Sequence, residues 1–336
     1  MNSRVREAFR DQARSCRDLG SPLTAALCET LAKGLEPSQG AVAARLLNWP
    51  GDPSSRADSV PLRLCGALHA LVLTGAAPDL AHAYAKRDVS TELLVDTMQT
   101  HEAMILEWLD SPPQTNEVAR SAALIGAGRF LSGLSPLPLR LLELGASAGL
   151  NLNFDRYHLG PAPEGVSLTP EWGGEIPQGR IQVASRRGVD LNPLDPERDS
   201  LRLMAYCWAD QDARLARLRA ALVMAQADPP PVDRGDAAAW LAAQLLRPVL
   251  GTLTVVFHTI AAQYFPHETA AACEATLARA AARATPDAPV AHLEMEADGG
   301  HGAALRMALW DGDERRWALG RADFHGRWID WQPRQL

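Results

Sequence analysis

Residues 139–155, LRLLELGASAGLNLNFD, hold the densest set of groups able to do chemistry. Gly145-Ala-Ser147-Ala-Gly149 spells G-x-S-x-G, the spacing that raises a nucleophilic serine on a sharp strand-to-helix turn. With Glu143 in front, the same residues read as a ligand-binding turn. Glycine lets a backbone approach a ligand closely, and the start of a following helix offers free N–H groups. Two further acids stand in comparable settings. Gly188-Val-Asp190-Leu-Asn-Pro193 ends an apolar segment with a carboxylate that can accept both hydroxyls of a ribose. Gly235-Asp236-Ala237 ends another, where a carboxylate can accept from an adenine amino group.

Other reactive side chains admit two readings each. Phe257-His258-Thr259, with Gln263-Tyr264-Phe265 close behind, follows a β-branched run. His258 is a candidate general base on an O–H or N–H nucleophile, or a residue that caps a strand end and bonds to backbone. Tyr264 meets a substrate or closes the core. Gln114, Thr115, Asn116, Glu117 and Arg120 form a dense polar cluster, either a plain helix start with Thr115 or Asn116 as N-cap or a lid at a substrate edge. The loop Asp298-Gly-Gly-His301-Gly302 is a flexible functional loop or a plain connection. His292, Glu294 and Glu296 alternate and resemble metal ligands by type. A half-buried strand face with solvated acids explains them equally, and no metal is expected.

The elements that must position these groups fall into two regimes. Up to about residue 130, apolar residues recur at three- and four-residue spacing, as in VREAFRDQARSC, PLTAALCETLAKGL and LRLCGALHALVLTG, with turn-rich breaks such as NWPGDPSS between them. This predicts an all-helical N-terminal domain over 1–130. From 131 to 336 strands alternate with helices. LRLLELG, IQVASRRGVD, PPVDR, TLTVVFHTI and PVAHLEMEA read as strands, a long helical stretch runs from about Asp199, and AAAWLAAQLL and ETAAACEATLARAAARA read as helices. Strands alternating with helices imply right-handed crossovers and a mostly parallel sheet covered on both faces. The segment ALRMALWDGDERRWALGRADF predicts an antiparallel hairpin around its D-G turn. A Gly/Pro-rich insert at 160–179 predicts an irregular loop or small hairpin near the site, with Trp172 as a loop anchor or a substrate contact.

Bulk properties narrow the classes. The net charge is −7, so there is no general electrostatic drive toward nucleic acid or anionic membrane. Five scattered cysteines without a C-x-x-C pair suit reduced thiols rather than a disulfide frame or zinc site. No apolar run reaches membrane-spanning length, and the N-terminus lacks a signal-peptide core. A cytoplasmic protein acting on a small-molecule partner, with no nucleic-acid or membrane partner, is the expectation. The sequence carries no signal of oligomeric state.

ELGASAG, GVDLNP and RGDA, in that order and each at a strand end, resemble the S-adenosylmethionine motifs of Rossmann-like methyltransferases. The resemblance implies S-adenosylmethionine as cofactor and a seven-stranded sheet whose last two strands form an antiparallel hairpin. It implies Glu143, Gly145 and Gly149 at the methionine end, with Ser147 in place of the middle glycine, Asp190 at the ribose and Asp236 at the adenine. QTNEVARSAAL, ELGASAGLNLNFDRY, RRGVDLNPLD and VVFHTIAAQYF resemble, over most of the chain, an uncharacterised bacterial family known only as a domain of unknown function. The 41 residues from Gly149 to Asp190 are about twice the usual interval to the ribose acid, and the 160–179 insert can absorb the excess. NAD is the runner-up cofactor, although G-A-S-A-G is not G-x-G-x-x-G. The expected function is methyl transfer from S-adenosylmethionine to a small molecule. The alternatives are a non-catalytic ligand- or partner-binding protein on the same fold, and a serine hydrolase using the GASAG turn. The hydrolase reading is opposed by order, because the elbow would sit on the first strand with no oxyanion segment upstream.

Overall fold

The computed structural model describes residues 2–336. The chain divides into two compact units, one made of residues up to 115 with 198–216, the other of 116–197 with 217–336.

The first unit is helical throughout its described residues, from Asn2–Asp18 to Glu102–Leu109, with Ser200–Ala205 added from later in the chain. Its core is built of apolar residues from these helices, including Phe9, Leu23, Leu27, Leu46, Leu64, Leu68, Leu80 and Met98. Proline stands in the first turn of the helices Pro22–Gly34, Val60–Leu73 and Pro78–Lys86, where its missing N–H is harmless. The expected long helix from Asp199 is broken into Ser200–Ala205 and Asp212–Ala227. The break has tertiary causes. Tyr206 lies over Gly66, where any Cβ would come within 2.4 Å of its ring. Asp210 accepts from the backbone N–H of Leu23 at 2.8 Å and so caps the Pro22–Gly34 helix from far along the chain. Among the described residues no single helix is long and apolar enough to cross a membrane. The one bent pair that passes by length and composition, Val60–Leu73 with Pro78–Lys86, supplies core residues of this unit.

The second unit is a sheet with helices. Its strands are β1 (Leu139–Leu144), β2 (His158–Leu159), β3 (Ser167–Leu168), β4 (Glu171–Gly173), β5 (Val183–Asp190), β6 (Val232–Arg234), β7 (Leu253–Thr259), β8 (Val290–Ala297), β9 (Ala303–Trp310), β10 (Glu314–Ala322) and β11 (Trp328–Gln335). Nine of them form one sheet in the order β4-β11-β10-β9-β8-β7-β1-β5-β6, and β2 pairs with β3 alone. β1 lies between β5 and β7, parallel to both, which is why its sequence is a nearly unbroken apolar run. The chain builds outward from β1 to β5 and β6, then crosses back to lay down β7 and β8 on the other side of β1. The carboxyl ends of β1 and β7 therefore flank the point where strand order reverses, the place where open α/β sheets bind ligands.

The sheet is mixed and mostly parallel, and the hairpin β9–β10 forms around the expected D-G turn. Beyond it the chain adds a third antiparallel strand, β11, and β4 pairs parallel to β11 at the far edge. The 160–179 insert thus sends Glu171–Gly173 to the edge opposite β6 rather than to the glycine turn. Trp172 anchors it there, 5.8 Å from the Trp331 ring and directly over Gly126, where a Cβ would lie 2.8 Å from the Trp172 ring.

Candidate functional site

The turn after β1 is fixed by backbone pairing to β5. Gly145 and Ala146 N–H both donate to Val189 O, at 2.9 and 3.0 Å, and Gly149 N–H closes on Ala146 O at 2.7 Å. Gly145, Ser147 and Gly149 are all left-handed, with φ of 71°, 54° and 72°. Both glycines are also required by packing. A Cβ on Gly145 would sit 2.7 Å from Ala261 Cβ, and one on Gly149 would sit 2.8 Å from side-chain atoms of Pro230 and Val232. Gly149→Ala is therefore expected to lower the unfolding free energy by about 2–5 kcal/mol, combining left-handed strain with overpacking. Urea denaturation measures it, and a loss within error of zero would show that the turn yields freely.

Ser147 is the non-glycine residue of the three, so its conformation must be held. Asp190 does this through Oδ2, which accepts Ser147 N–H at 2.8 Å, while Oδ1 accepts Asn192 N–H at 2.8 Å. The long interval from Gly149 therefore does not carry Asp190 away. Register places Leu144 beside Val189, and the next residue, Asp190, reaches the turn. Asp236 lies after the adjacent strand β6. There it caps the helix Ala237–Gln244 by accepting from Ala238 and Ala239 N–H at 3.0 Å, and it also accepts from Thr269 Oγ1 at 3.2 Å.

Glu143 is 2% exposed, and its Oε2 is buried without a hydrogen-bond partner. Burial pushes this carboxyl well above the ordinary carboxylate range, the charge of Asp190 adds to the shift, and Arg120 opposes it. The 116–121 segment packs onto the same turn. Asn116 Oδ1 accepts Leu150 N–H at 2.9 Å, and Ser121 Oγ donates to Asn151 Oδ1 at 2.7 Å. Arg120 donates to Thr259 O at the end of β7 and to Phe324 O. Glu117, not Thr115 or Asn116, is the N-cap here, accepting Ala119 N–H. It also lies 3.8 Å from Arg217. Asn116, Glu117 and Arg120 thus gather beside the turn, whereas Gln114 belongs to the first unit.

His258 goes elsewhere. Glu143 pairs with Phe257, so these two share a face of the sheet, and the next residue points to the other. There His258 Nδ1 meets Glu296 Oε1 at 2.7 Å and its Nε2 meets His292 Nε2 at 3.1 Å. The same Glu296 oxygen accepts from Ala261 and Ala262 N–H. Burial raises the Glu296 carboxyl, but the hydrogen bond and charge of His258 and these N–H groups outweigh it, leaving it below its ordinary range. Burial, then His258 and Arg316, push His292 down to about 3. His258 is thus neither a backbone-bonded strand cap nor aimed at the turn. Sequence reasoning missed its pairing with His292, because nothing local says that β7 and β8 are neighbours.

Two other expectations resolve plainly. Tyr264 is 72% exposed, so it does not close the core. It stands free at the carboxyl edge, in the short turn Ala262–Tyr264. His301 stacks on Trp328 with ring centroids 4.9 Å apart. Its loop is pinned by Asp298, which accepts from Arg321, Gly300 N–H and Arg306, and the hydrogen bonds from Arg321 and Gly300 N–H hold the Asp298 carboxyl well below its ordinary range. The loop is a stapled connection into β9.

Fold and turn together place the second unit among open α/β sheets whose strand order reverses at a glycine turn flanked by acids. The chain belongs to the bacterial family described as "Uncharacterized protein conserved in bacteria (DUF2332)", whose model matches residues 6–331. Neither a curated protein nor a solved structure matches it.

Proposed function

We propose that the second unit binds S-adenosylmethionine at the carboxyl ends of β1, β5 and β6 and passes its methyl group to a small molecule. One observation carries this reading: Glu143 is a fully buried carboxyl with an unpaired oxygen, directly ahead of the glycine turn. A buried polar atom without a partner costs about 1–3 kcal/mol, and a cationic ligand end such as an amino-acid ammonium would offset that cost.

Asp190 supports the same reading. Each of its oxygens takes one backbone N–H, and a carboxylate has lone pairs for further donors, here the ribose hydroxyls. Leu191 beside it is 70% exposed, an apolar surface suited to a purine. Asp236 keeps acceptor capacity for an adenine amino group besides its capping role. Gly145 and Gly149 add no separate support, since backbone conformation and packing already require them.

S-adenosylmethionine supplies an activated methyl group, so the chain's task is to orient the acceptor and exclude water. Both ring nitrogens of His258 are engaged away from the turn, and the reading assigns it no proton. Tyr264, exposed at the same edge, is the proposed acceptor contact. Asn116, Glu117 and Arg120 brace the turn.

Calorimetric titration with S-adenosylmethionine and its demethylated product tests this. Binding is expected to release a proton as Glu143 ionises against the ligand, seen as a heat that changes with the buffer's ionisation enthalpy. Asp190→Ala is expected to weaken binding at least about tenfold, on the order of one lost charge-assisted hydrogen bond. No heat and no thermal shift at millimolar ligand would overturn the reading.

A further inference from the structure

On the opposite face from Glu143, two strands bring His258 to His292 and Glu294, the nearer of which lies 34 residues further along the sequence. His258 Nε2, from β7, stands 3.1 Å from His292 Nε2 and 3.9 Å from Glu294 Oε1, both from β8. All three donor atoms lie within 4.8 Å of one another. Ligands about 2.1 Å from a tetrahedral zinc are separated by about 3.4 Å, so the spacing needs only small adjustments to enclose an ion.

The surroundings carry the argument further. Glu296 is held by two backbone N–H groups and accepts from His258 Nδ1. That contact fixes the proton of His258 on Nδ1 and leaves the Nε2 lone pair facing His292 and Glu294, the arrangement a carboxylate imposes on a metal-binding imidazole. His292 and Glu294 also line a groove of about 770 Å³ between the helix His267–Ala281 and strands β8–β10, while His258 is buried. An ion held there would have three protein ligands and an open coordination position facing the groove, as catalytic zinc sites do. By residue type, His292 and Glu294 look like solvated groups on a strand face. The addition of His258 from the neighbouring strand completes a nitrogen-rich ligand set.

We propose that His258, His292 and Glu294 bind a first-row divalent transition metal, with Glu296 as the positioning residue for His258. Two imidazoles and one carboxylate suit zinc and its neighbours rather than calcium or magnesium, which take oxygen ligands. The site is independent of the proposed cofactor-binding edge.

The test uses the full chain, stripped with a chelator and titrated with zinc, then with cobalt as a spectroscopic probe. Expected is one tightly bound zinc per chain and an intense visible cobalt spectrum of tetrahedral type. His292→Gln is expected to abolish both. Glu296→Gln is expected to weaken zinc about 10–100-fold, the usual effect of losing an outer-shell partner. Glu294→Gln alters a side chain that is 34% exposed, so its fold is retained, and at least a tenfold loss of zinc affinity is expected. Equal zinc affinity in the native chain and the Glu294→Gln chain, or a cobalt spectrum like that of the hydrated ion, would overturn the proposal. Neither result bears on S-adenosylmethionine binding.

Discussion

Arg186→Ala is expected to lower the unfolding free energy by about 3–5 kcal/mol, the usual cost of leaving one partner of a buried ion pair alone. Arg186 projects from β5 and grips the segment Leu150–Arg156 that follows the glycine turn. Its guanidinium makes a two-pronged contact with Asp155 at 2.8 and 3.1 Å, and it also donates to Leu152 O at 2.8 Å and Asn153 Oδ1 at 2.9 Å. The two side chains are only 14% and 16% exposed, so water screens the pair weakly. Removing the arginine strands the Asp155 charge and orphans two further acceptors. The double variant Arg186→Met with Asp155→Asn is expected to lose less than the sum of the single losses, because neither charge is then left alone. Urea unfolding of Arg186→Ala, of the single variants Arg186→Met and Asp155→Asn, and of the double variant measures this. A loss below about 1 kcal/mol in Arg186→Ala would place the pair with ordinary surface contacts.

Glu143→Gln is expected to be more stable than the native chain at pH 8 by at least about 1.4 kcal/mol, the equivalent of one pKa unit, because an amide has no proton to lose when the chain unfolds. The sign follows from linkage. Burial, reinforced by Asp190, raises the folded carboxyl above its ordinary range, so the folded state binds more protons than the unfolded state as soon as the unfolded carboxyl ionises. Stability of the native chain then falls as pH rises from about 4.3 through the raised folded value. Below the ordinary carboxylate range both states are protonated and the native chain and variant converge. Chemical denaturation at stepped pH values measures the difference, and parallel curves for the two proteins would show that Glu143 is ionised in the fold. The same variant is expected to lose the proton release on S-adenosylmethionine binding, which ties the stability measurement to the proposed site.

Local signals in the chain carried much of the architecture. The apolar run LRLLELG, the β-branched TLTVVFHTI and the alternation around the D-G turn mark β1, β7 and the β9–β10 hairpin, because strand type depends on residues that are adjacent in sequence. The acid at the end of β5 was legible for the same reason. Its arrival at the glycine turn across 41 residues followed once β1 and β5 paired in register. The capping of the short turn Val118–Arg120 ahead of the helix Ser121–Leu134 was less legible. Thr115 and Asn116 were the expected caps by type, but Asn116 accepts Leu150 N–H instead and Glu117 accepts Ala119 N–H.

Other features depend on partners that no local pattern names. Tyr206 over Gly66 and Asp210 on Leu23 N–H break the helical stretch after Asp199. Glu171–Gly173 leaves the insert for the sheet's far edge because β11 offers it unpaired backbone there. By itself the sequence determined the helical and α/β regimes, the glycine turn and the acids at the ends of β1, β5 and β6. These rest on periodicity and on turn chemistry within a few residues. Only the tertiary structure decided that Glu143 is buried with an oxygen unpaired, and that His258 turns to the other face to meet His292, Glu294 and Glu296. Strand order and register set those neighbours, and they are properties of the packed sheet rather than of any one strand.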